Sequence, residues 1–222
     1  MSTLSKTKSK TKYKIILTGS SSVGKTSLCH NISGDTFNNK IPVTIGVDFM
    51  KIEIEDSDNT FGQSKQKTYE IYVWDTAGHE NFRSITKSYY RNSQIILLCF
   101  DLTDRKSFNE LDVWITEIRS IITEPVYICL LGLKSDLEPI ISDKEIDSFL
   151  KKHIITTFYR FSSKESKSAD NIKRILLSLV HKYNLMIEDY AYCQELKNGT
   201  FNLDSGCENL EEVKETSGRN CC

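Results

Sequence analysis

Eight residues constrain this chain more than any others. Gly19-Ser-Ser-Ser-Val-Gly-Lys-Thr26 follows the short apolar run Tyr13–Thr18 and opens a helical stretch from Lys25 to Ile32. Strand, glycine loop and helix in that order make a phosphate cradle, because successive backbone amides converge on anionic oxygens at a helix N-terminus. Gly19, Ser21, Ser22, Val23, Gly24 and Ser27 supply loop and amides. Lys25 is placed to reach the β and γ phosphates, and the Thr26 hydroxyl to bind a magnesium ion.

The remainder reads as an α/β domain of the P-loop NTPase type. Met50–Glu55 and Thr68–Trp74 alternate apolar and polar residues, so they read as half-buried strands in a hairpin joined through the polar Asp56–Lys67 loop. Gln94–Phe100 and Tyr127–Leu131 are solidly apolar, as central parallel strands covered on both faces must be. Ser107 with Glu110, and Ser142 with Glu145, fit capping boxes and predict helices over 107–121 and 143–152. A last strand near Thr157–Phe161 and a helix over Ala169–Tyr183 complete the pattern. It predicts a sheet of about six mostly parallel strands, one of them antiparallel, with helices on both faces and the ligand at the carboxyl ends of the strands.

Charge divides the chain. Twenty-nine Lys and Arg against 30 Asp and Glu leave a net −1, which excludes binding to nucleic acid through bulk positive charge. Lys6, Lys8, Lys10, Lys12 and Lys14 are unopposed at the N-terminus, whereas Met186–Cys222 carries a marked acidic excess. Neither end has apolar periodicity, so residues 1–12 are expected as a flexible basic arm, 13–185 as the folded domain and 186–222 as a flexible acidic tail. The longest apolar run, Ile95–Phe100, is far short of a membrane span. No signal peptide is expected, so the domain should meet cytosol. Cys29, Cys99, Cys129, Cys193 and Cys207 are scattered and read as structural thiols, whereas Cys221-Cys222 ends the chain as a pair.

Which nucleotide the loop serves depends on residues downstream. Asp75, in Val73-Trp-Asp-Thr-Ala-Gly78, stands at a strand end where a carboxylate can hold magnesium through water, and the Gly78 amide can meet a γ phosphate. Thr44 offers the metal a second hydroxyl.

With Ile45-Gly-Val-Asp-Phe49, Trp74-Asp-Thr-Ala-Gly78, Ser88-Tyr-Tyr-Arg91 and Phe100-Asp-Leu-Thr103 added to the loop, the sequence resembles the Rab branch of the Ras-like small GTPases over about residues 13–184. The resemblance implies a GTP/GDP switch in which Lys25, Thr44, Gly78 and the residue at His79 serve hydrolysis, and Thr44 and Gly78 grip the γ phosphate. It implies that Phe37 stacks beside the guanine. It further implies that Ile45, Phe49, Trp74 and Tyr89 contact effectors; core packing of the three aromatics is the competing account. Partners of the Rab type follow: effectors, an exchange factor, a GTPase-activating protein and a lipid carrier. Cys221 and Cys222 resemble a doubly geranylgeranylated terminus on the cytoplasmic face of an intracellular membrane, cycling with cytosol. The chain is expected to be a monomer.

Two positions depart from the family pattern. Leu133-Lys134-Ser135-Asp136 stands where the family has Asn-Lys-x-Asp. Asp136 still accepts from the guanine N1 and N2 hydrogens and the Lys134 stem can cover the base, but the amide that bonds N7 and ties this loop to the phosphate loop is missing. One or two lost hydrogen bonds weaken binding about 5- to 30-fold without changing base choice. Ser162-Ser163-Lys164 resembles the last element, with the Ser163 amide toward the guanine oxygen. His79 replaces the glutamine that orients the attacking water, and its ring carries one donor and one acceptor at a different reach. Slow intrinsic hydrolysis is expected. The alternative is a nucleotide-binding scaffold with little turnover; a P-loop kinase or ATPase would leave Ile45–Phe49 and Trp74–Gly78 without a role.

Overall fold

The computed structural model describes residues 11–56, 67–79, 87–165 and 168–197. Six strands form one sheet: β1 (Thr11–Thr18), β2 (Val47–Asp56), β3 (Lys67–Thr76), β4 (Ile95–Asp101), β5 (Tyr127–Leu133) and β6 (Phe158–Phe161). Their order is β2-β3-β1-β4-β5-β6. Only the β2–β3 pair is antiparallel, with Phe49 opposite Trp74 and Met50 opposite Val73. The mostly parallel sheet with one antiparallel strand is the expected architecture.

Side-chain alternation along β1 assigns the two faces. Ile15 and Leu17 join Leu28 and Ile32 of α1 (Lys25–Ser33) and Ile172, Leu176, Leu179 and Val180 of the C-terminal helix. Ile16 points the other way, into a core with Trp114, Ile115 and Ile118 of α3 (Leu111–Ile121) and Ile146 and Phe149 of α4 (Asp143–His153). All seven residues of β4 are buried, as a strand covered on both sides requires.

The two expected capping boxes fare differently. Ser142 and Glu145 form theirs, each satisfying the other's backbone amide. Ser107 and Glu110 do not, and the single helix expected over 107–121 is two, α2 (Arg105–Asn109) and α3, separated at Glu110. Asp104 lies three residues upstream and caps α2 by accepting from the amides of Lys106 and Ser107. The Ser107 hydroxyl is thereby inside the helix and accepts instead from the Asp101 amide at 3.0 Å.

Boundaries also shift at the ends. Thr11 and Lys12, expected in the arm, already pair with Tyr69 and Glu70 of β3. The last helix, α5 (Ser168–Lys197), runs past Tyr183 into the segment expected as tail. By compactness the chain divides into Met1–Asn184 and Leu185–Cys222. Residues 1–10, the 57–66 portion of the β2–β3 connection, Cys207 and the pair Cys221-Cys222 lie outside the described residues. No described helix is long and apolar enough to cross a membrane. The four described cysteines are free thiols, and burial pushes that of Cys99 up to about 12.

Ile154, which ends α4, is 84% exposed and sits in the left-handed region at φ 51°. A β-branched residue there costs on the order of 1–2 kcal/mol. Glycine removes the strain at some cost in chain entropy. Ile154→Gly is therefore expected to stabilise the fold by about 1 kcal/mol, raising Tm by about 2–4 °C in a scan of both proteins.

Candidate functional site

The site is assembled at the carboxyl end of β1. Gly19 has φ +136°, and a Cβ there would stand 2.0 Å from the Cys99 carbonyl oxygen, so only glycine lets the loop turn against β4. Gly24, at φ 114°, caps α1 with no side-chain hydrogen bond, which leaves first-turn amides for a ligand. Between them the Lys25 ammonium is buried and donates to the carbonyls of Gly19 and Ser20, both at 2.7 Å. Burial lowers its pKa from the ordinary lysine value, against the opposing pull of Cys99, Asp75 and Cys29.

A hydroxyl and carboxylate group adjoins the lysine. Thr26 Oγ1 donates to Asp75 Oδ2 at 2.6 Å and is 2.7 Å from Thr44 Oγ1, which itself lies 3.3 Å from Asp75 Oδ2. Burial raises the Asp75 carboxyl pKa, with the Thr26 hydroxyl, Lys25 and the Thr44 hydroxyl opposing it. Asp75 Oδ1 is buried and has no hydrogen-bond partner among the described residues. Two hydroxyls and a carboxylate with a spare oxygen fit a small hard cation that takes oxygen ligands and keeps waters, as Mg²⁺ does. No cluster of three or more His, Cys, Asp or Glu suited to a metal occurs among the described residues.

Beyond the phosphate loop a cavity of about 460 Å³ opens, the size of a small-molecule site. Its lining brings together nearly every residue expected to hold the ligand: Ser21, Ser22, Val23, Gly24, Lys25, Thr26, Ser27, Phe37, Thr44, Gly78, Lys134, Asp136, Ser163 and Lys164. Gly19 lies beneath the loop and is not in the lining. Gly78 packs directly on the phosphate loop, where a Cβ would come 2.4 Å from the Ser20 carbon and the Ser21 nitrogen. His79 follows it, half-buried, but does not line the cavity.

At the far end Asp136 accepts from the Ser162 hydroxyl at 2.6 Å and pairs with Lys164 at 3.3 Å. Burial alone would raise its carboxyl, yet Ser162, its own backbone amide and Lys164 bring it below the usual value, so it is a carboxylate ready to accept. Lys134 adopts φ 61° and its ammonium meets Asp101 at 2.6 Å, which holds its stem along the cavity wall. Lys164 lies 5.4 Å over the Phe37 ring. Leu133, the departure from the family pattern, is buried and faces Gly24, its Cδ1 3.6 Å from where a Cβ would be. Ser162, Leu137, Thr76, Asn38, Asn39, Ile41, Pro42 and Val43 also line the cavity, and the sequence alone does not mark them. Ser162 stands in the Ser162-Ser163-Lys164 element, but nothing in the sequence pairs its hydroxyl with a carboxylate 26 residues away.

Of the four residues expected at an effector surface, Phe49 on β2, Trp74 on β3 and Tyr89 in the turn before β4 adjoin one another, while Ile45 precedes β2. Phe49 and Trp74 have ring centroids 4.8 Å apart, and Trp74 and Tyr89 5.2 Å. Phe49 is about half exposed and Ile45 is 81% exposed, while Trp74 and Tyr89 also pack on the α3-side core. Core packing thus accounts for part of Trp74 and Tyr89, while Phe49 leaves much of its ring on the surface.

Residues 14–184 match the model of the Ras family. The chain is 34% identical over 214 residues to the GTP-binding protein YPT1 of Saccharomyces cerevisiae, covering 95% of this chain and 96% of that one. To Ras-related protein Rab-1D of Dictyostelium discoideum it is 35% identical over 178 residues, 80% of this chain and 82% of the relative. To Ras-related protein Rab-13 of Bos taurus it is 37% identical over 160 residues, with 71% and 74% covered.

Proposed function

Because the chain belongs to the Ras family, on its Rab branch, we propose that it is a GTP/GDP switch of intracellular membrane traffic that hydrolyses GTP slowly. The observation that carries this reading is the single cavity wall on which phosphate-loop residues and the Asp136–Ser162–Lys164 network meet. One end suits a polyphosphate and the other a base that presents two adjacent donors, as guanine does.

In this reading the loop amides and Lys25 bind the β and γ phosphates. Thr26, Thr44 and Asp75 hold Mg²⁺, which when bound draws charge from the phosphate oxygens. Thr44 and the Gly78 amide sense the γ phosphate, so the segments around them are ordered only with GTP. Phe37 and the stem of Lys134 flank the guanine, and the Ser163 amide meets its oxygen. In the GTP state Ile45, Phe49, Trp74 and Tyr89 form the surface that effectors read; an exchange factor, an activating protein and a lipid carrier act on the same cycle. Cys221 and Cys222 carry two prenyl chains, which anchor stably where one would not. Their acidic surroundings add no attraction to an anionic membrane, so attachment rests on lipid.

His79 supports the slow step. An imidazole cannot offer a water the donor and acceptor of a glutamine amide at the same reach. Recovering about one well-placed hydrogen bond in the transition state corresponds to about fivefold in rate. Single-turnover GTP hydrolysis is therefore expected to be about fivefold faster for His79→Gln than for the wild type, and an unchanged rate would remove the impairment from the account. A scaffold with little turnover is the second reading, favoured by Leu133 and His79 together; it predicts a wild type that binds GTP and leaves it intact even with a Rab-activating domain present.

A further inference from the structure

On α1, Asn31 is a buried amide between core residues Leu28 and Ile32, with 4% of its surface exposed. An apolar residue would fill such a place at less cost. Its Nδ2 donates to the Ser163 carbonyl at 3.2 Å, while Oδ1 is buried with no partner among the described residues. A carbonyl only accepts, so the nitrogen must be the atom that faces Ser163. That bond is the one the buried amide makes among the described residues.

The bond joins two halves of the site. α1 begins at the phosphate loop, and Ser163 belongs to the segment at the base end of the cavity. The peptide between Ser163 and Lys164 is held on both sides: its carbonyl by Asn31 and its amide by the Ser162 hydroxyl at 3.1 Å, which in turn donates to Asp136. Leu133 sits on the same wall but offers no donor, and meets Gly24 by apolar contact alone.

Resting on the nucleotide reading above, we infer that Asn31 is a positioning residue for nucleotide retention. From α1 it fastens the base-side segment Ser162–Lys164 to the phosphate-binding helix, a polar tie that Leu133 cannot supply. The bound nucleotide spans this joint. Loss of the tie lets the base-side segment move away from the phosphate loop and raises the rate of release.

The test is release of a fluorescent GDP analogue from the full chain, chased with excess GDP. Loading of the wild type is read first, and a wild type that does not load overturns the nucleotide reading and this inference together. Given loading, Asn31→Leu is expected to release the analogue about fivefold faster, the effect of about one hydrogen bond. Asn31→Ala serves in the same way should the leucine variant not fold. Asn31→Gln keeps the amide and is expected to stay within about twofold of the wild type. In a Leu133→Asn background, where a second amide restores a tie, Asn31→Leu should change release by less than about twofold, because two groups serving one joint are not additive. Equal release from wild type and Asn31→Leu overturns the inference. So does the same fold-change in both backgrounds, since that is how a general loss of stability would behave.

Discussion

Lys25→Ala is expected to weaken GTP binding by about 10²- to 10⁴-fold, the loss of two charge-assisted hydrogen bonds of about 1.5–3 kcal/mol each to phosphate oxygens. The ammonium is already positioned for this, fixed at 2.7 Å from the Gly19 and Ser20 carbonyls. Burial pulls its pKa down because the charged form is desolvated with only neutral carbonyls to accept from it, so a phosphate gains more from it than from a solvated lysine. Alanine leaves Gly19 and Gly24, which shape the loop, untouched. The fold should persist, as circular dichroism would check, while titration with GTP reports the loss. An affinity within about tenfold of the wild type would mean that Lys25 only braces the loop.

Asp136→Ala should produce a loss of similar size but different character. The carboxylate sits below its usual pKa and accepts from Ser162 and Lys164 within the protein, which leaves lone pairs for two donors of a base. Guanine offers N1–H and N2–H there, whereas adenine offers no such pair. Removing the carboxylate is expected to lower GTP affinity about 10²- to 10⁴-fold and to leave ATP affinity nearly unchanged, so the preference between them collapses. Competition of the two nucleotides against a fluorescent GDP analogue measures it. A variant that keeps the full GTP preference would place base recognition elsewhere in the cavity.

Much of this was legible from local chemistry. Strand alternation in Met50–Glu55 and Thr68–Trp74 and the apolar runs around Ile95 and Tyr127 state which faces are covered, and the sheet follows. The phosphate loop is likewise local, since glycine spacing and the helix start are contiguous. What failed was competition between neighbours. Ser107 with Glu110 reads as a cap until Asp104, three residues earlier, reaches two amides first, and Glu110 is then free to accept the Ser20 hydroxyl of the phosphate loop. The C-terminal helix could not be bounded at Tyr183, because no glycine or proline stops it before Lys197. At the site, Asn31 was invisible: nothing in its sequence neighbourhood tells that its amide meets a carbonyl 132 residues away. Leu133 was legible as an anomaly, but its contact with Gly24 needed the fold.

A guanine nucleotide is expected to occupy this cavity, and one titration tests it directly. Purified full-length chain is titrated with GTP, GDP and ATP in the presence of Mg²⁺. Saturation by GTP and GDP, with ATP binding at least about 100-fold more weakly, is the expected result. Failure of either guanine nucleotide to bind up to about 1 mM, an affinity no better than about −4 kcal/mol, or a preference for ATP, would contradict it.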